Sequence, residues 1–310
     1  MSPAYTPSEM MDRESRSNRY YRNAVERHWD PGEIELERDV ENLLEHVEST
    51  PDYDRDAWDR TLNGIAKFGA GEDAVTEDLA PLATVLSNID DQLFLTTQLY
   101  EEAKHADFFD RYWREVIWTV EDELGWERSN PRAEKWFNEP YVELFDRNKK
   151  AQYRLLEEDT PENRATAYCH YHLTVEGILA QTGYYGMQTS YGGEFEELPY
   201  LPGLVEGFTK IRSDEGRHVG FGMNQLKKLI QEGVDPRLVE ETVEELLPLV
   251  QGITEDDRFQ PDDEEERVGL EEGQLAAYAV EKHTDRMRQI TDAAADIPDV
   301  DELVRLEGDD

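Results

Sequence analysis

The chain has 310 residues, enough for one large domain or two small ones with a sizeable core, and no repeat or linker argues for two. Its 72 acidic residues against 32 basic ones give a formal net charge of -40, spread along the whole length, so nucleic acid and anionic membranes are poor partners. The same balance fits the solvated acidic surface of a protein from a very salty cytoplasm, a halophile, and the 6 Trp, 15 Tyr and 10 Phe exclude a disordered acidic chain.

The single cysteine, Cys169, excludes an internal disulfide and fits a reducing compartment. The opening MSPAYTPSEMMDRESRSNRYYR has no apolar h-region, and no run of about eighteen apolar residues occurs, so a soluble cytoplasmic protein without a membrane span is expected.

In chain order, residues 1–30 read as a polar lead, 31–295 as a single helical domain and 296–310 as a short acidic tail. A turn at Pro31-Gly32 precedes helical periodicity in EIELERDVENLL. From about Asp54 to Leu86 the apolar positions Leu62, Ile65, Ala66, Ala74, Val75, Leu79 and Leu82 fall at helical spacing, with Gly69, Gly71 and Pro81 implying a kink. Further helices are expected from about Asp90 to Glu123 and from about Pro131 to Glu157. Thr160-Pro161 then supplies a cap and first position for a helix of unusual composition. Helices near Leu204–Gln231, Pro236–Gln251 and Glu265–Ala294 close the fold. Nothing reads as a strand or hairpin, so the class is all-α, a long-helix bundle.

The unusual helix carries the chemistry. Between Ala165 and Gly193 only Glu176 is formally charged, in a chain where 34% of residues are. Such a stretch reads as a buried helix, and a lone buried carboxylate is costly unless neutralised, paired or coordinated. Two ExxH elements offer partners: Glu102 with His105, and Glu215 with His218. Residues three apart share a helix face, so each pair can chelate one metal ion. The spacing alone is weak, because 7 histidines in a Glu-rich chain produce about one ExxH by chance. The order is stronger. Glu72, Glu102/His105, Glu176 and Glu215/His218 fall in that order on four helices, in the pattern of di-metal carboxylate bundles. Taken singly, Glu72 beside Asp73 and Glu102 beside Glu101 also read as solvated surface, and either histidine as a structural one.

The segments HWDPGEIELERD, GEDAVTEDL, EEAKHADFF, TVEGILAQTGYY and SDEGRH resemble the ribonucleotide reductase small-subunit superfamily, more closely its ligand-binding oxidase branch. The resemblance spans about Trp29 to Val250. It implies a ferritin-like homodimer with a four-helix di-metal core, a manganese-iron centre, a long-chain fatty acid held near the metals, and O2 as oxidant for an ether crosslink between a valine and a tyrosine. By position, it assigns Glu72, Glu102 and His105 to manganese and Glu176, Glu215 and His218 to iron, with Glu102 and Glu215 bridging or approaching both. The crosslink pair would be Val75 and Tyr171. Asp214 matches an acid that orients His105, and Trp29 a tryptophan near it. Di-iron occupancy suits the same ligands.

A reductase small subunit, working with a large subunit, is the competing function. The position of its radical tyrosine is Phe109 here, which excludes one subtype, and no aromatic residue follows Tyr278 to relay a radical, which favours the oxidase branch. Ferritin-type iron storage fits the length poorly.

Overall fold

The computed structural model describes residues 10–259, 269–270, 273–292 and 295–303; the rest of the polar lead, of the last expected helix and of the acidic tail lies outside the described residues. Among the described residues every regular element is helical, as the all-α expectation requires, and no helix is long and apolar enough to cross a membrane.

Four long elements form the centre: α3 (Arg55–Asp78), α5 (Ile89–Tyr112), a π-helical segment (Cys169–Ala180) and α10 (Pro202–Glu232). Around them lie α1 (Arg16–Glu26), α2 (Glu37–Ser49), α4 (Ala80–Val85), α6 (Trp118–Glu123), α7 (Glu139–Glu157), α8 (Pro161–Tyr168), α9 (Gln181–Tyr191), α11 (Pro236–Thr254), α12 (Gln274–Thr291) and α13 (Val300–Leu303). Two apolar masses flank the centre. One gathers Trp58, Phe108, Trp136 and Phe208, and the other Phe94, Tyr168, Phe221 and Leu246.

Local chemistry explains most boundaries and several departures from the expected elements. The helix expected to kink at Gly69 and Gly71 runs unbroken through both, with Phe109 packed close over Gly69, and Phe145 and Tyr141 over Gly71. The break falls at Leu79, just before Pro81, whose ring suits only a first helical turn. The helix expected from Pro131 starts later, at Glu139, where the Asn138 side chain accepts from Tyr141 N at 3.1 Å and Pro140 occupies the first turn. Beyond α5 a π turn, Trp113–Ile117, interrupts the single helix expected to Glu123.

Parts of the lead and tail are docked rather than free. Ser17 Oγ donates to Asp91, and Asn18 Nδ2 donates to Asp90 Oδ1 at 3.1 Å, fastening α1 to α5. Ile297 and Leu303 are buried, α13 packs on α10, and Arg16 donates to the Ile297 carbonyl at 2.9 Å.

The start of α10 is held from outside. Its own preceding residue, Leu201, offers no side-chain cap, and Asp39 of α2 accepts from the backbone N–H groups of Gly203 and Leu204, both at 2.8 Å. Farther along, Gly207 lets Phe108 press onto the helix, since a Cβ there would meet the ring at 2.0 Å.

Candidate metal centre

The charge-free helix is where the backbone departs furthest from expectation. Over Cys169–Ala180 it is π-helical, and Thr174 Oγ1 bonds the carbonyl of Cys169 five residues back. A wider turn shifts side chains around the axis relative to an α-helix, and such insertions recur at functional sites. Tyr171, His172 and Glu176 all lie on this segment and are buried.

The six predicted ligands are buried together. Ligand atoms of Glu102, Glu176, Glu215 and His218 fall within 4.8 Å of one another, as do those of Glu72, Glu102 and His105. His105 Nδ1 lies 3.5 Å from Glu72 Oε2, Glu102 Oε2 and Glu215 Oε1. His218 Nδ1 lies 3.1 Å from Glu102 Oε1, 3.2 Å from Glu176 Oε1 and 3.5 Å from Glu215 Oε1. Glu102 and Glu215 therefore face both imidazoles, while Glu72 and Glu176 each face one.

Electrostatics of this cluster without metal are those of a proton-sharing group. Burial, and then the Glu215 carboxylate, push Glu176 well above the usual carboxylate range, and burial also raises Glu215. Burial works against protonation of His105 and His218, but the carboxylates around them outweigh it and draw both well above the usual imidazole range. Even so, the Nδ1 atoms of both histidines and the Oε2 atoms of Glu176 and Glu215 have no hydrogen-bond partner. Each buried unsatisfied polar atom costs about 1–3 kcal/mol, and a cation held by the deprotonated imidazoles and the carboxylates satisfies all four at once. Four carboxylates and two imidazoles are hard oxygen and nitrogen donors that suit manganese or iron.

The opposite edges of the two imidazoles are braced across the site. His105 Nε2 meets Asp214 Oδ2 at 3.2 Å, and the same oxygen accepts from Trp29 Nε1 at 2.8 Å and Lys104 Nζ at 3.0 Å. His218 Nε2 meets Glu101 Oε2 at 2.9 Å. Arg217, 0% exposed, donates to both Asp214 and Glu101. The acid preceding one ExxH thus holds the histidine of the other, fixing ring orientation and presenting Nδ1 to the ligand cluster. Asp214 and Trp29, the two residues singled out from sequence beside this site, are placed against His105 and each other. Glu101, Lys104 and Arg217 were missed, although a signal exists: EEAKH and DEGRH share the order acid, Glu, small residue, cation, His.

Tyr171 Oη donates to Glu102 Oε1 at 2.7 Å, with its ionisation pushed well up by burial and then by the surrounding carboxylates. Val75 lies one turn beyond Glu72 on α3. Both residues line a cavity of about 1060 Å³ that begins at Glu72, Glu102, Glu176 and Glu215, runs past Phe68, Val175 and Leu179, and extends to Arg60.

No protein-family model matches the chain. Among solved structures it is similar to an R2-like ligand-binding oxidase with aerobically reconstituted Mn/Fe cofactor after a long soak. Identity is 28%, TM-score 0.74, and the match covers 91% of this chain and 94% of that one. A valine-to-leucine variant with aerobically reconstituted Mn/Fe cofactor matches at 28% and 0.74, covering 91% of this chain and 95% of its own. A glycine-to-leucine variant, anaerobically reconstituted, matches to the same extent. The chain is thus similar in sequence and fold to R2-like ligand-binding oxidases. It is a ferritin-like oxidoreductase, and the buried carboxylate-histidine cluster is its candidate di-metal site. The ferritin-like fold and the ordered Glu, ExxH, Glu, ExxH pattern thus meet in one place.

Proposed function

We propose that this chain is an O2-activating oxidase acting as a homodimer, with manganese held by Glu72, Glu102 and His105 and iron by Glu176, Glu215 and His218. Glu102 and Glu215, which face both imidazoles, would bridge or approach both ions. A long-chain fatty acid occupies the cavity, and the reaction joins Val75 to Tyr171 through an ether bond.

Bound there, the metals supply two of the four electrons that take O2 to two waters, and the C–H and O–H bonds replaced by the crosslink supply the other two. The chain's own residues do the positioning. Tyr171 keeps its phenolic proton in the resting protein and directs it at Glu102, which can accept it as the new C–O bond forms. Phe68, Val175 and Leu179 give the cavity an apolar stretch that keeps water from the reacting atoms and suits an alkyl chain.

The observation that carries this reading is the aim of the Tyr171 hydroxyl at a shared ligand, Glu102, from the wall of the cavity that Val75 also lines. After loading with both metals in air, a tryptic digest should show the Val75 and Tyr171 peptides joined, two hydrogens lighter than their sum. Separate peptides in fully loaded protein, with Tyr171→Phe indistinguishable from the parent towards O2, would remove the crosslink from the function.

A further inference from the structure

One buried amide lies between the two halves of the site. Gln98 stands on α5 one turn before Glu102 and is 0% exposed. Its Nε2 donates to Glu176 Oε1 at 3.0 Å and stands 3.5 Å from Glu102 Oε1. Its Oε1 pairs with His172 Nε2 at 3.3 Å. Carboxylate oxygens accept, so the amide must turn its NH2 towards Glu176 and its oxygen towards His172. His172 Nε2 must then carry a proton. Burial, and then nearby His218, hold the pKa of His172 down to about 3, so the ring is neutral and its one proton sits on Nε2. Its other nitrogen, Nδ1, is correspondingly the one without a partner.

The His172 ring has little freedom to leave. Tyr171 meets it edge-on at 4.7 Å between centroids, and Tyr168 and Phe221 close around it at 5.3 and 5.9 Å. Across the gap is Gly222 of α10, where a Cβ would stand 2.2 Å from His172 Cβ. Any other residue there would push the ring off the amide. Glu72, the corresponding carboxylate of the first half, receives no side-chain amide among the described residues.

We propose that Gln98 is a positioning residue for the second metal, holding Glu176 by Oε1, the oxygen that also faces His218 Nδ1 at 3.2 Å, so that the carboxylate stays turned towards the second ion's ligands, and that His172 acts through Gln98 by fixing the direction of its amide. This rests on the di-metal function proposed above, and it gives the second site a restraint that the first lacks. Glu176 is thereby held against swinging towards the first ion.

Gln98→Met keeps the length and packing of the side chain while removing the donor. In protein loaded with manganese and iron, then challenged with a chelator, this variant should lose the second-site iron about ten to a hundred times more readily than the parent, the range for removing an outer partner of a ligand. Manganese retention should change much less, and the iron Mössbauer spectrum should shift before any loss. His172→Phe should give a smaller selective loss, and the double variant no more than Gln98→Met alone, since the two act in series. Equal loss of both ions, unchanged retention, or additive losses would overturn the positioning role. A His172→Phe variant that folds keeps the question answerable if Gln98→Met does not. A parent chain that takes up neither metal would instead overturn the di-metal function, so the two failures are distinct.

Discussion

The two halves of the metal site are built from the same five-residue pattern on α5 and α10, yet their outer carboxylates sit in opposite surroundings. Glu72 projects from a regular, charge-bearing helix and among the described residues its carboxylate pairs only with His105, whereas Glu176 projects from an otherwise charge-free π-helical segment, with Gln98 bonded to it. The shared pattern secures what both ions need, two oriented imidazoles and two shared carboxylates. The difference lies in what each half leaves free. Glu72 can follow its ion, while Glu176 is held, and the tyrosine that faces the shared Glu102 comes from the held side.

Ligand substitutions should break this comparison most sharply. Glu215→Ala removes a carboxylate facing both imidazoles, so both ions should be lost, whereas Glu72→Ala should release the first and leave the second. Metal analysis of each variant distinguishes them. In the parent, an ion present at a hundred times its dissociation constant stabilises the fold by about 2.7 kcal/mol, and chelation should remove that increment.

Next in size is the brace behind the histidines. Asp214→Ala strands Lys104, Arg217 and the His105 N–H in a buried place, and removing one partner of such a network costs about 3–5 kcal/mol. Glu101→Ala leaves Arg217 with Asp214, so a cost nearer that of a lost buried hydrogen bond, about 1–3 kcal/mol, is expected. Denaturant unfolding of the metal-free variants measures both, and equal costs would mean the two braces are equivalent.

Acidity separates the empty and loaded states. Without metal, Glu176 and Glu215 titrate above their usual 4.5 and His105 and His218 above their usual 6.5, so each favours the folded state in its protonated form. That stability is complete below the usual values and is lost as pH rises through the raised ones. Asp214 and Glu102 are held low and act oppositely, losing their contribution only as pH falls below the usual carboxylate range. The melting temperature of metal-free protein should therefore fall as pH rises above about 6.5. Loaded protein should not follow, because its ligands are already deprotonated. The smallest effect belongs to the surface: with a net charge of -40, added salt should raise the melting temperature of loaded and metal-free protein alike.

Much of this site is legible in the sequence because metal ligands are constrained twice, by residue type and by helical spacing. Glu72, Glu102, His105, Glu176, Glu215 and His218 could be placed on four helices before any coordinates, and they converge. The residues behind them were harder. Glu101, Lys104 and Arg217 are charged residues in a chain that is 34% charged, so each looks like solvated surface until the fold buries it. Gln98 sits among ordinary helix formers in QLYEE, and nothing marks it as buried. The π segment has a different reason for being hidden. A helix that is apolar all round has no polar face whose phase could reveal a shifted turn. His172, one residue from Tyr171, was lost for that reason.

The crossed brace also bears on how the protein comes apart. Because the acid of α5 holds the histidine of α10 and the acid of α10 holds that of α5, neither helix can open without releasing both rings. Amide protons of the two helices around the motifs should exchange with solvent in one concerted event, at a rate set by the slower-opening partner. Departure of an ion and loosening of the bundle then share a single barrier, which makes the lifetime of the cofactor a property of the fold as a whole.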